Sequence, residues 1–253
     1  MTGHRELAVA ILAAGQGKRM GNPDLAKVLA PLCAKPLLGY VLEQANELNP
    51  SHVVVIIGHQ RDAVRDYVTS VAPSATCVVQ DQQLGTGHAV QQTEPVLANL
   101  DVDVIILSGD VPLLTASTLK ELVTRHRRMR AVATVLTAKV PDPTGYGRII
   151  RNADGNLTAI VEHKDATPSQ LAIDEINSGV YIVHSTELFR ALSRVKNSNA
   201  QGEYYLTDII NILQRNNFVV EAWCAPSWEE LHGINTVADL ERAGMIMEER
   251  STV

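Results

Sequence analysis

Cysteine is scarce in this chain: three residues in 253, Cys33, Cys77 and Cys224, widely spaced and with no C-x-x-C pair. His163 has no second histidine at metal-ligand spacing and is expected at the solvent surface. Neither a zinc site nor a disulfide framework is therefore indicated, and reduced thiols are expected. Positive charge is also in short supply. The 22 Lys and Arg are outnumbered by 28 Asp and Glu, giving a net charge of −6, which argues against a general nucleic-acid or membrane surface. Any site for anions must be made by a few local cations or a metal. No apolar run approaches the roughly eighteen residues of a membrane span. The opening MTGHREL lacks the order of a signal peptide, so a cytoplasmic protein is expected. Repeats and low-complexity tracts are missing too, and nothing marks a linker between two domains.

What is present is concentrated first in Leu7 to Pro31, LAVAILAAGQGKRMGNPDLAKVLAP. The run from Leu7 to Ala14 suits a strand buried on both faces of a parallel sheet. Gly15 and Gly17 end it, and glycines at a strand exit let backbone N–H groups turn toward a phosphate. Lys18, Arg19 and Lys27 add charge beside the loop. A Walker loop requires Ser or Thr after its lysine, and Arg19 follows Lys18. The dinucleotide fingerprint needs a third glycine one position before Gly21 and an acidic residue closing the second strand, where Gly58 and His59 stand. Both readings fail.

The chain then alternates. Residues 36–48 have helical spacing, 53–58 form a strand, 61–71 a helix and 76–79 a strand, a pattern that gives a parallel sheet with right-handed crossovers. Ligands in such sheets bind beyond the carboxyl ends of the strands. Two such ends carry chemistry. After residue 79 comes QDQQLGTGH, where the two glycines bracketing Thr86 could admit a planar ring and amide side chains could read its edge, or Thr86 could simply cap the helix that follows. After the strand at 103–107 comes SGDVPL, where Asp110 could hold a hard divalent metal through oxygen, or cap the turn before a helix near Thr115.

Beyond the strand at 131–140 the character changes. PDPTGYG is rich in turn formers, and residues 148–151, 157–162 and 173–183 read as strands of a lid or second lobe continuous with the first. Glu162 could pair with a neighbouring lysine. A helix over 203–214, a strand over 218–225 and a final helix from Val237, capped by Thr236, complete the reading. The RHRRMR cluster at 125–130 is read as a solvated face.

Eight segments in order, LAAGQGKRM with Lys27, QLGTGHA, GDVPL, GYGRI, VEHKDAT, EINSGVY, NAQGEYYLTD and HGINT, span nearly the whole chain. Together they resemble the nucleotidyltransferases that act on sugar 1-phosphates, and most closely the uridyltransferase domain of the bifunctional bacterial enzymes that make UDP-N-acetylglucosamine. The resemblance implies an α/β, Rossmann-like, mixed and mainly parallel sheet flanked by helices, with a smaller β-rich sugar-binding lobe, all in one domain over 1–253. Residues 1–140 would form the nucleotide half, 141–235 the sugar half and 236–253 a C-terminal helix. The implied reaction is transfer of UMP from UTP to N-acetyl-α-D-glucosamine 1-phosphate with release of pyrophosphate. The alternatives are another nucleotide or sugar 1-phosphate, or a silent nucleotide-sugar binding protein.

Position by position, the resemblance implies that Ala13, Ala14, Gly15 and Gly17 hold uracil and ribose, with Gln80, Gly85 and Thr86 completing the base pocket. Arg19, Lys27 and Asp110 would be catalytic, the two cations facing the nucleotide phosphates. Asp110 and Asn235 would bind Mg²⁺. Gly147, Glu162, Asn177 and Thr207 would bind the sugar, with Tyr205 nearby. The partners implied are these small molecules, with no nucleic acid or membrane, in a monomer or weak oligomer. Ser108 stands where many relatives have an aromatic. The bifunctional family continues into a left-handed β-helix with hexapeptide repeats, which this sequence does not contain, so no acetyltransferase activity is expected.

Overall fold

The computed structural model describes residues 5–17, 20 and 25–251; Lys18 and Arg19 lie outside them. The strands are β1 (Glu6–Ala13), β2 (Pro31–Leu32), β3 (Lys35–Pro36), β4 (His52–Ile57), β5 (Thr76–Val79), β6 (Val102–Ser108), β7 (Ala133–Lys139), β8 (Arg148–Arg151), β9 (Leu157–Val161), β10 (Glu175–His184) and β11 (Val220–Cys224). The helices are α1 (Leu37–Asn46), α2 (Arg61–Val71), α3 (Thr86–Gln91), α4 (Glu94–Leu97), α5 (Ala116–Met129), α6 (Pro168–Leu171), α7 (Ser185–Leu192), α8 (Asp208–Arg215) and α9 (Val237–Ser251).

One sheet runs β11-β7-β10-β6-β1-β4-β5, with β8 joined to β10 and β9 to β8. β1 pairs in parallel with β4 and β6, and β4 with β5, so the mainly parallel class read from the sequence is found. β10 runs antiparallel to both β6 and β7, while β11 returns parallel to β7. Alternation along β1 explains the layers. Val9 and Ile11 face Leu38, Val41 and Leu42 of α1 and Leu119 and Leu122 of α5. Ala8 and Ala10 belong to the opposite layer, with Leu188, Phe189, Ile209 and Leu213 of α7 and α8. Both faces are covered, which is why β1, β4 and β6 read as continuous apolar runs.

The topology decides where a ligand can enter. From β1 the chain goes one way, to β4 and β5, then crosses back to place β6 on the other side of β1. The loops leaving β1 and β6 therefore diverge and leave a crevice at this switch point. The Gly109 amide donates to the Leu12 carbonyl at 2.9 Å, which holds the turn after β6 against the end of β1.

Three local expectations are corrected. Helix α8 begins at Asp208, not 203, because Tyr204 pairs with the loop before α3: its amide donates to Leu84 O and its carbonyl accepts from Gly87 N, both at 2.8 Å. His163 is half-buried, its Nδ1 accepting from the Gly145 amide at 3.2 Å. Within 125–130 the side chains are not all solvated, since His126 is buried with Nδ1 2.9 Å from Thr134 Oγ1.

Candidate active site

The crevice is a cleft of about 270 Å³ whose wall includes Ala14, Gly15, Lys27, Gln80, Gly85, Thr86 and Asp110. These seven come from four separate segments, and the fold brings them together. Ala13 is the last residue of β1 and is buried. Gly17 meets the same cleft through Lys27: its φ is +59° and an added Cβ would lie 2.5 Å from Lys27 Cβ. Only glycine allows that approach at that dihedral.

Lys27 opens a short 3₁₀ turn, Lys27–Leu29, pinned by buried Ala26, Val28 and Ala30. Its ammonium forms an ion pair with Asp110 Oδ2 and donates to Asn235 Oδ1 at 3.2 Å. Asp110 is thus not a helix cap; Thr115 caps α5 by accepting from Thr118 N at 3.3 Å. The Asn235 amide is oriented by the Gly233 carbonyl, which can only accept: Nδ2 donates to it at 3.1 Å, turning Oδ1 toward Lys27. Fully buried Ile234, whose amide donates to Asp110 O at 2.8 Å, anchors the turn. Burial of such a side chain is worth about 1.5–3 kcal/mol. Two hard oxygens, 125 residues apart in sequence, therefore converge on one cationic group.

At the β5 end of the cleft, Gln80 is buried and its Nε2 donates to Gly85 O at 3.1 Å. Thr86 is not the cap of α3. Gly85 occupies that position with φ +112°, and Thr86 Oγ1 instead accepts from the Leu206 amide at 3.1 Å. Sequence reasoning missed Gln83, whose Nε2 donates to Ala14 O at 2.7 Å, and Glu203, which lines the cleft. Gln83 stands inside the QLGTG segment, which was a usable signal. Ser108 also lines the cleft, and its Oγ lies 3.4 Å from where a Cβ on Gly179 would sit.

A second polar group gathers at the antiparallel edge. The Thr207 hydroxyl donates to Glu162 Oε1 at 3.0 Å, and the Asn177 amide donates to Gly147 O at 2.9 Å. A Cβ on Gly147 would lie 3.5 Å from both Asn177 Cβ and Glu162 Oε2, so these four residues surround one point. Burial lifts the Glu162 carboxyl above the ordinary glutamate range, against the opposite pull of the Thr207 hydroxyl. The lysine partner considered for Glu162 is replaced by Thr207. Tyr205 stands beside this group with its hydroxyl committed, donating to Asp165 at 3.1 Å and accepting from Gln201 at 2.9 Å. Burial and the Asp165 carboxylate push its phenol up to about 12.

Residues 9–212 match the MobA-like NTP transferase domain family. The chain belongs to that family. It is 46% identical over 241 residues to the bifunctional protein GlmU of Exiguobacterium sp., a match covering 95% of this chain and 52% of that protein. Against GlmU of Geobacillus thermodenitrificans the identity is 46% over 240 residues, covering 95% of this chain and 51% of the relative. The chain spans about half the length of the curated relatives it matches. A crystal structure of UDP-glucose pyrophosphorylase complexed with UDP-glucose shares the fold, with a TM-score of 0.77, 18% identity and coverage of 97% of this chain and 99% of that one. Among the described residues no helix is long and apolar enough to cross a membrane.

Proposed function

We propose that this chain transfers UMP from UTP to N-acetyl-α-D-glucosamine 1-phosphate, forming UDP-N-acetylglucosamine and pyrophosphate. The observation that carries the reading is the cleft at the switch point, where a glycine loop meets Lys27 and the Asp110–Asn235 oxygen pair; the Gly147, Glu162, Asn177 and Thr207 group is linked to its wall through the Leu206 amide, next to Thr207, which donates to Thr86 Oγ1. The 46% identity to proteins named GlmU supports it over nearly the full chain.

In this reading, Ala13, Ala14, Gly15 and Gly17 hold the uridine, with Gln80, Gly85 and Thr86 reading the base. The sugar lies against Gly147, Glu162, Asn177 and Thr207, with Tyr205 placing the turn that bears Thr207. A phosphate oxygen of the sugar 1-phosphate bonds to the α-phosphorus of UTP, and the bond from that phosphorus to the bridging oxygen breaks. Pyrophosphate leaves with the electron pair. The nucleophile is already anionic at neutral pH, so no general base is required.

The difficulty is charge. Two unit charges about 4 Å apart repel by about 4 kcal/mol at an effective dielectric of 20, on a protein that is itself net −6. Lys27, together with Arg19, offsets charge on the nucleotide phosphates, and preorganised cations are worth most where charge grows in the transition state. Asp110 and Asn235 would hold a Mg²⁺ ion. Their oxygen donors suit it, and the Lys27 ammonium already stands as a cation on both. When bound, such an ion supplies neutralisation and alignment of phosphate oxygens.

A pyrophosphate-release assay with Mg²⁺, run across UTP, dTTP, CTP, N-acetylglucosamine 1-phosphate and glucose 1-phosphate, tests the reading. The expected result is the highest kcat/KM for UTP with N-acetylglucosamine 1-phosphate. A faster reaction with another pair replaces the substrate, and UTP binding without pyrophosphate release makes the chain a binding protein.

A further inference from the structure

The sugar-side loop and the cation-side turn are joined by a chain of side chains that neither site uses directly. Tyr146, next to Gly147, places its hydroxyl 3.4 Å from His232 Nδ1. His232 Nε2 is 3.1 Å from Asp239 Oδ1. The other Asp239 oxygen accepts from the Asn235 amide at 2.9 Å and the Thr236 amide at 2.8 Å. Asp239 also donates its own amide to Thr236 Oγ1 at 3.2 Å, closing a reciprocal cap at the start of α9.

The hydrogen-bond chemistry is self-consistent. A carboxylate only accepts, so His232 Nε2 carries a proton; Nδ1 of the neutral ring then accepts from the Tyr146 hydroxyl. In the charged ring Nδ1 donates to the same oxygen, so the link does not depend on protonation. Helix capping alone explains Asp239 and Thr236. It does not explain His232, which the cap does not need and which stands edge-on to Trp228, ring centroids 6.1 Å apart at 83°.

We propose that His232 is a positioning residue, tying the Tyr146–Gly147 loop to the Asn235 turn so that occupancy of the sugar pocket and of the cation position reinforce each other. This rests on the function proposed above. Tyr146 reports whether the loop has settled, and Asp239 holds the backbone from which Asn235 Oδ1 projects. Asn235 itself acts at the cation; His232 acts through it.

The test counts free Mn²⁺ by electron paramagnetic resonance in titrations of the protein, with and without saturating N-acetylglucosamine 1-phosphate and with the sugar phosphate alone as a blank. In the unaltered protein the sugar phosphate should tighten Mn²⁺ binding at least about fivefold, the lower end of ordinary coupling between sites. Tyr146→Phe removes one oxygen, and His232→Phe keeps a ring against Trp228 but loses both nitrogens. In each, the ratio should fall toward one while thermal stability and the Mn²⁺ affinity of the sugar-free protein change little. A ratio that persists in Tyr146→Phe, or no tightening in the unaltered protein, overturns the inference. Should His232→Phe fail to fold, Tyr146→Phe alone decides. A protein that couples the two ligands but releases no pyrophosphate leaves this inference standing and removes the proposed reaction instead.

Discussion

On the side of the cleft proposed for the nucleotide, Gly15, Gln80 and Asp110 each follow within a few residues the carboxyl end of a parallel strand, β1 and β6 being buried on both faces and β5 lying half-exposed at the sheet edge. On the side proposed for the sugar the sources are mixed. Asn177 lies within antiparallel β10, where its register with β7 shifts before Tyr181, Gly147 precedes β8, Glu162 follows β9, and Thr207 precedes α8. Parallel strands deliver their loops to one edge whatever the loops contain, so the nucleotide side inherits its geometry from the topology. The sugar side must be assembled from contacts between segments that no short stretch encodes. The first should resist small changes in neighbouring loops yet fail when a strand-end group is lost. The second should give graded, ligand-specific losses.

The largest expected effect follows from removing a strand-end charge. Asp110→Asn keeps an oxygen for Lys27 and leaves the turn's backbone bonds in place. Pyrophosphate release should fall by about a thousandfold or more, equivalent to about 4 kcal/mol of transition-state stabilisation. The thermal midpoint should move by only a few degrees. Activity within tenfold of the unaltered protein would show that the strand-end carboxylate is not where the reaction's charge is balanced.

Two glycine-to-alanine changes compare the sides directly. At Gly85 the backbone has φ +112°, and a Cβ would sit 2.7 Å from Tyr204 O and 2.9 Å from Glu203 Cβ. Gly85→Ala should therefore destabilise the fold by about 1–3 kcal/mol, the usual scale of enforced backbone strain, and raise the KM for UTP about tenfold. Gly147→Ala meets only ordinary contacts, at 3.4 Å from Ile160 Cγ2 and 3.5 Å from Asn177 Cβ and Glu162 Oε2. Stability should be nearly unchanged, with the KM for the sugar phosphate raised and that for UTP retained. Urea denaturation and steady-state kinetics on both variants check the pair. Equal stability losses would erase the distinction between the sides.

The same contrast marks what the sequence made legible. α2 and β5 fall on residues 61–71 and 76–79, as the spacing predicts, and β1 and β4 fall within one residue of their expected ranges. Local apolar periodicity suffices where one element packs on one sheet. It misread 203–207 as helix because the stripe of EYYLTD continues into α8, while the Leu84 and Gly87 backbone contacts that hold Tyr204 extended are about 120 residues away. Thr86 looked like a cap by residue type, and the competing acceptor role toward Leu206 is invisible without the fold. His163 has no ligand partner in sequence and read as exposed, yet the turn at Gly145 folds over it. His232 and Tyr146 stand inside the HGINT and GYGRI segments, but 86 residues apart nothing local pointed to a contact between them. The motifs, by contrast, pointed to Lys27, Asp110 and Asn235 as one group, and the fold brings all three together.

The smallest effect concerns the buried carboxylate of the sugar side. Burial raises the Glu162 pKa in the folded chain above its unfolded value of about 4.3. The folded state therefore binds the proton more tightly, and ionised Glu162 costs stability. That cost is absent at pH below the unfolded pKa, grows as pH rises through the raised folded pKa, and is complete above it. Glu162→Gln removes it, while its amide oxygen can still accept from Thr207. The variant should gain denaturation midpoint relative to the unaltered protein at pH 7.5, and the gain should shrink as pH falls toward 4.5. Turnover should suffer in the sugar phosphate term alone, with KM raised several-fold and less dependence on pH on the acidic side. A stability difference that stays constant between these pH values would mean that Glu162 is solvated like any surface glutamate. The sugar side would then be as tolerant of water as the open mouth of the nucleotide cleft.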